Sequence, residues 1–138
     1  MLRVVLDTNI IVSALLQPIG PTAQVFSFAL GGAMHFFVSG AVFDEYEEVI
    51  RRPKFRRAEQ TIAAALEAIR QKAVWVRPVE HIQACSDPDD DIFLECAQAA
   101  KAAYLVTGNT KDFPASWHDT RIVTARHLLD IMAGIASA

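Results

Sequence analysis

Three acidic positions sit where a side chain is aimed by its surroundings. Asp7 directly follows the apolar run Val4-Val5-Leu6. Glu45 lies three residues after Val42 and four before Val49, so on a helix it borders an apolar stripe of Val42, Tyr46, Val49 and Ile50. Asp90 belongs to the run Ser86-Asp87-Pro88-Asp89-Asp90-Asp91. It has Phe93 at i+3 and Ala97 at i+7, which leans it toward the core, whereas Asp91 points roughly the other way. Carboxylates that converge repel one another and need a positive counter-charge. An all-oxygen set suits Mg2+ or Mn2+, ions that activate water and stabilise charge on a phosphoryl group.

Each position has an equally plain structural explanation. Asp7 is placed to cap a helix. Glu45 is placed as a rim residue whose stem lies along apolar surface. Asp87 suits an N-cap and Pro88 the first helical position. The other aspartates would then stabilise the positive helix end by about 0.3–1 kcal/mol each.

The elements that must carry these acids follow from the apolar pattern. Short strands are predicted at 3–6, 35–38, 74–76, 103–107 and 121–123. Helices are predicted at 10–16 (capped by Thr8 and Asn9), 22–30, 41–51, 55–72, 88–101 and 125–136, with a loop over 108–120. Short continuous apolar strands alternating with longer helices predict an α/β fold, a three-layer α/β/α sandwich around a mainly parallel sheet. In such sheets ligands bind beyond the carboxyl ends of strands, where the strand order switches. Asp7 and Thr107 both fall at predicted carboxyl ends.

Bulk composition narrows the classes. With 138 residues, 52% hydrophobic and 21% charged, the chain reads as a single domain over 1–138. No apolar run approaches the roughly 18 residues of a membrane span. Met1-Leu2-Arg3-Val4-Val5-Leu6-Asp7 has no long apolar leader, which predicts a cytoplasmic protein. Cys85 and Cys96 have no redox or ligand spacing, and the four histidines are scattered, which disfavours zinc. Formal net charge is −3, yet Arg51, Arg52, Lys54, Arg56 and Arg57 crowd into seven positions. That run is suited equally to RNA phosphates and to a solvated or partner-docking face. Both tryptophans are candidates for stacking on bases; core packing is the stronger expectation for Trp75, and Trp117, in a polar loop, stays open to either role.

The ordered set of motifs is familiar. Val4-Val5-Leu6-Asp7-Thr8-Asn9, a helix with Asp44-Glu45, Asp87-Pro88-Asp89-Asp90 with Phe93-Leu94, and Leu105-Val106-Thr107-Gly108-Asn109-Thr110-Lys111-Asp112-Phe113 resemble the PIN-domain family, with VapC-like toxins of toxin–antitoxin pairs as suggested relatives. The resemblance spans nearly the whole chain. It implies metal-dependent cleavage of RNA, an Mg2+ or Mn2+ cofactor, a homodimer and a small antitoxin that blocks the site. The antitoxin groove would lie on the helices over 41–72. By the same resemblance, Asp7, Glu45 and Asp90 form the acidic site, with Asp91 as the alternative register. Thr8 and Thr107 match polar positions that hold the acids, with Asn9 beside them. The family often has a further acid where Asn109 stands here, so Asp112 becomes a substitute ligand.

Rival functions are weaker. A phosphotransfer receiver needs an aspartate after its third strand, and Val74-Trp75-Val76-Arg77-Pro78 has none. A dehalogenase-type phosphatase needs aspartates two apart after the first strand, but Thr8-Asn9 follows Asp7. A non-catalytic RNA- or protein-binding module on the same fold remains the alternative.

Overall fold

Nine residues in three runs form the centre of the sheet: Val4-Val5-Leu6, Phe36-Phe37-Val38 and Tyr104-Leu105-Val106, none more than 3% exposed. Successive strand side chains point to opposite faces. Burial of every one therefore requires helices on both sides, which gives the three-layer arrangement. The computed structural model describes residues 1–136. Positions 137 and 138, which close the predicted domain over 1–138, lie outside the described residues.

The order is β1 (Arg3–Leu6), α1 (Thr8–Leu16), α2 (Pro21–Gly31), β2 (His35–Val38), α3 (Gly40–Ile50), α4 (Glu59–Lys72), β3 (Val74–Trp75), α5 (Asp91–Ala100), β4 (Tyr104–Val106), β5 (Ser116–Trp117), β6 (Thr120–Val123) and α6 (Ala125–Met132). The sheet runs β3-β2-β1-β4-β6-β5. All neighbours are parallel except β5 and β6. From β1 the chain builds outward through β2 and β3 on one side and β4 and β6 on the other. The switch in strand order therefore falls between β1 and β4, where open α/β sheets bind ligands.

Several boundaries differ from the sequence expectation. Thr8 and Asn9 are the first residues of α1, and Asp7 takes the cap position without a capping side-chain bond. Their side chains are engaged elsewhere, as described below. Pro53–Phe55 forms a 3-10 turn, Arg56 is left-handed at φ 48°, and Ala58 is extended, so α4 starts at Glu59 instead of 55. The predicted helix over 88–101 opens as a 3-10 turn, Pro88–Asp90, with the Asp87 carboxylate accepting from the Asp89 amide at 3.0 Å as its cap. The final helix stops at Met132, two residues before left-handed Gly134. The expected loop over 108–120 contains β5, tied antiparallel to β6. Trp75 is 43% exposed on the edge strand, contrary to its expected core position. No single helix among the described residues is long and apolar enough to cross a membrane.

Candidate active site

β1 ends at Leu6, and Asp7 lies buried at its carboxyl end. β4 ends one strand away, where Thr107 Oγ1 donates to Asp7 Oδ2 at 2.7 Å. Thr107 Oγ1 also accepts from the Asn109 amide at 3.0 Å, so one hydroxyl fixes both the acid and the following loop. Asn9 Oδ1 accepts from the Gly108 amide at 3.2 Å, tying the start of α1 to the same loop. A Cβ on Gly108 would make only ordinary contact, 3.7 Å, with the Asn9 amide group.

Glu45 arrives from α3. Ser39 caps that helix by accepting from the Val42 amide at 3.2 Å, and Val42, Phe43, Tyr46 and Ile50 bury its apolar face. Glu45 is half-buried at the edge of that face and accepts a hydrogen bond from Thr8 Oγ1. Next to it, the fully buried Tyr46 hydroxyl donates to the Leu6 carbonyl, and burial drives its pKa well above the ordinary tyrosine value. The neighbours of Glu45 and Asp7 are thus bonded to each other.

Asp7, Glu45, Asp90 and Asn109 line one cleft of about 590 Å3. Thr8, Asn9, Val12, Ser13 and Leu16 of α1, with Gln17 just after it, form one wall, and Val49, Arg52, Lys54 and Phe55 complete it. Burial pushes the Asp7 carboxyl up, and the charge of Glu45 adds to that. The Thr107 bond and the Thr8 and Asn9 amides pull the other way without cancelling it. Asp90 is pushed up to about 7, first by burial and then by the charges of Asp7, Asp87, Asp112 and Glu45. These mutual effects are what carboxylates sharing a site without a counter-ion should show.

The other predicted residues divide. Asp91 does not point to water. It is buried, and its Oδ1 accepts from the Ala84 and Cys85 amides at 3.1 and 2.8 Å. Burial pushes its carboxyl up, but those bonds outweigh burial and hold it below the ordinary value. Asp91 therefore fastens the 84–85 loop and does not line the cleft. Asp112 also lies off the cleft, with its carbonyl accepting from the Ser86 amide at 3.1 Å, although its charge still reaches Asp90. In the basic run only Arg52 and Lys54 line the cleft. Arg52 pairs with Glu48 at 2.9 Å, and Lys54 lies 5.2 Å over the Phe55 ring. Arg51 turns away to Glu47 and Glu59. Arg57 borders a small apolar notch beside the cleft, and Arg56 is exposed.

Asn9, Ser13 and Gln17 were not grouped by the sequence reading, although their spacing of four puts them on one helical face. That polar stripe within an otherwise apolar helix was a legible signal for a cleft wall.

The donor set, carboxylates supported by hydroxyls and amides, fits a hard divalent cation. Among the described residues no group of three acid, histidine or cysteine side chains is arranged as it stands to hold an ion. The acids share a cleft, leaving room for the waters that Mg2+ usually keeps.

The fold and cleft define a class: a parallel α/β protein with a carboxylate-lined site at its sheet switch point. Residues 3–111 match the family model described as PIN domain, and the chain belongs to the PIN-domain family. PIN domains are generally nucleases and typically use divalent metals. The chain is also similar to an uncharacterized protein of Methanocaldococcus jannaschii, 28% identical over 111 residues, covering 78% of this chain and 71% of the relative.

Proposed function

We propose that this protein is a metal-dependent endoribonuclease, the toxin component of a toxin–antitoxin pair. The observation that carries the nuclease part is the convergence of Asp7, Glu45 and Asp90 on one cleft at the switch point. In this proposal Asp7 and Asp90 hold Mg2+ or Mn2+, and Glu45 binds it directly or through water. When bound, the cation supplies Lewis acidity toward water and a counter-charge for the phosphoryl group. Thr107 and Thr8 orient Asp7 and Glu45. Arg52 and Lys54 offer positive charge to RNA phosphates beside the acids.

The test is incubation with labelled single-stranded RNA in Mn2+, in Mg2+ and in excess chelator, beside Asp7→Asn. Cleavage that needs metal and vanishes in the variant is expected. Metal-independent cleavage, or full activity in Asp7→Asn, would overturn the assignment. The toxin part rests on the family resemblance, as do the antitoxin and the homodimer. Induced expression in bacteria should arrest growth, and Asp7→Asn should not.

A second reading, a non-catalytic RNA- or protein-binding module, is favoured by Asn109 in place of an acid and by the open spacing of the carboxylates. RNA that is bound but never cut in either metal would select it.

A further inference from the structure

A second cavity of about 520 Å3 lies at the sheet edge, where α3 begins and β3 ends. Its walls include Gly40, Ala41, Trp75, Arg77, Pro78 and Glu95. Trp75 is exposed yet held: Nε1 donates to the Arg70 carbonyl at 3.1 Å, and the ring packs on Phe43 with centroids 5.3 Å apart. The Arg77 guanidinium is exposed and has no partner among the described residues. Glu95 is largely buried; its Oε2 accepts from the Ile82 amide at 3.0 Å and lies 3.8 Å from His81 Nδ1, and its Oε1 has no hydrogen-bond partner among the described residues.

A rigid exposed indole beside an unpaired cation is what an unpaired nucleotide needs, a face to stack on and a charge for its phosphate. Phosphate would stay at the Arg77 end, because Glu95 repels it. The open Glu95 oxygen can accept only from a donor, such as the exocyclic amino group of a base. The cavity lies at the end of β3, two strands from the end of β1 that carries Asp7. At about 4.8 Å per strand this is roughly 10 Å, a span of about three stacked nucleotides.

We infer that this cavity is a subsite for one unpaired nucleotide of the RNA held in the acidic cleft, stacked on Trp75 with its phosphate on Arg77. The inference rests on the ribonuclease reading and adds a place where the strand is gripped away from the cut.

The test is fluorescence anisotropy of labelled oligo(C) and oligo(U) of about eight nucleotides. The protein is the full chain in an Asp7→Asn background, so that bound RNA stays whole. Trp75→Ala and Arg77→Ala should each weaken oligo(C) binding roughly tenfold. Arg77→Ala should also reduce the log–log salt slope by about 0.7. Oligo(C) should bind more tightly than oligo(U), and Glu95→Gln should shrink that preference. Because Trp75 packs on Phe43, Arg77→Ala, altering an exposed side chain, keeps the test independent of folding. Equal binding by parent and variants would overturn the subsite while leaving the nuclease intact. No RNA binding by the Asp7→Asn protein would overturn the subsite, and the nuclease reading would fall only if the unaltered chain also failed to cleave RNA in Mn2+ and Mg2+. Unchanged RNA binding with a loss of dimer in sedimentation would make this face an interface between copies, and the subsite would fall.

Discussion

Asp90 is the residue whose chemistry is most exposed to pH. Its carboxyl titrates near 7 in the folded chain against an ordinary 3.8. Between those values the folded chain holds a proton that the unfolded chain has released. The stability it contributes is full below about pH 4 and is lost as pH rises through about 7. In metal-free protein, Asp90→Asn should leave the melting temperature unchanged near pH 4 and raise it by a few degrees near pH 8. Equal effects at both pH values would contradict the placement of Asp90 among other charges. Thr107 makes a complementary case. Thr107→Val keeps the shape but removes the donor to Asp7 and the acceptor for Asn109, and should weaken Mn2+ binding by about 10–100-fold. Calorimetric titration measures this; unchanged affinity would show that Asp7 is positioned by the backbone alone. Asp91→Ala should instead destabilise by about 2 kcal/mol in denaturant unfolding, since two amides lose a buried charged acceptor. Helical direction placed Asp90 toward the core and Asp91 away from it; Asp90 does line the cleft, but from the 3-10 turn ahead of α5, and Asp91 is the more buried of the two. The sequence reading missed the role of Asp91, because the partners of that carboxylate, Ala84 and Cys85, lie in a loop with no periodic pattern.

At the scale of elements, the legible features were those with strong local rules. Ser39 before α3 and Asp87 before the 3-10 turn both serve as caps. Ser39→Ala should therefore cost about 1 kcal/mol in thermal or denaturant unfolding, and leave α5 and its Asp90 in place. A loss much smaller than this would mean that α3 is held by packing alone. Where elements were misread, tertiary partners outranked local preference. Thr8 and Asn9 have cap-forming side chains, but Glu45 and Gly108 take them up, from 37 and 99 residues away. Trp75 reads as core by type, yet β3 is a two-residue edge strand and leaves it open. β5 has two residues and exists through its register with β6, which no propensity window of that length reveals.

For the whole molecule, continuous apolar runs alternating with helices were enough to predict a parallel, double-faced sheet. Strand order was not readable, because apolar pattern does not distinguish one buried strand from another. The order places β1 beside β4, and only then do Asp7 and Thr107 meet. A cation that binds this cleft and not the unfolded chain should stabilise the fold. Mn2+ should raise the melting temperature, more near pH 8 than near pH 6, since Asp90 must lose its proton to bind. Asp7→Asn should abolish the shift. A shift in Asp7→Asn equal to that of the parent would place the ion elsewhere.

The bond from the Tyr46 hydroxyl to the Leu6 carbonyl acts as a gauge block between two cleft walls. It fixes the separation of α3 from β1 using neither Asp7 nor Glu45, although it sits one residue from each. The separation of α3 from β1 thus has a support that does not pass through the charges in the cleft. Replacing both acids with their amides, Asp7→Asn with Glu45→Gln, should silence the chemistry while keeping the mould. Such a protein is a snare for its own substrate: recovered from cells with its RNA still attached, it would name the target by sequencing.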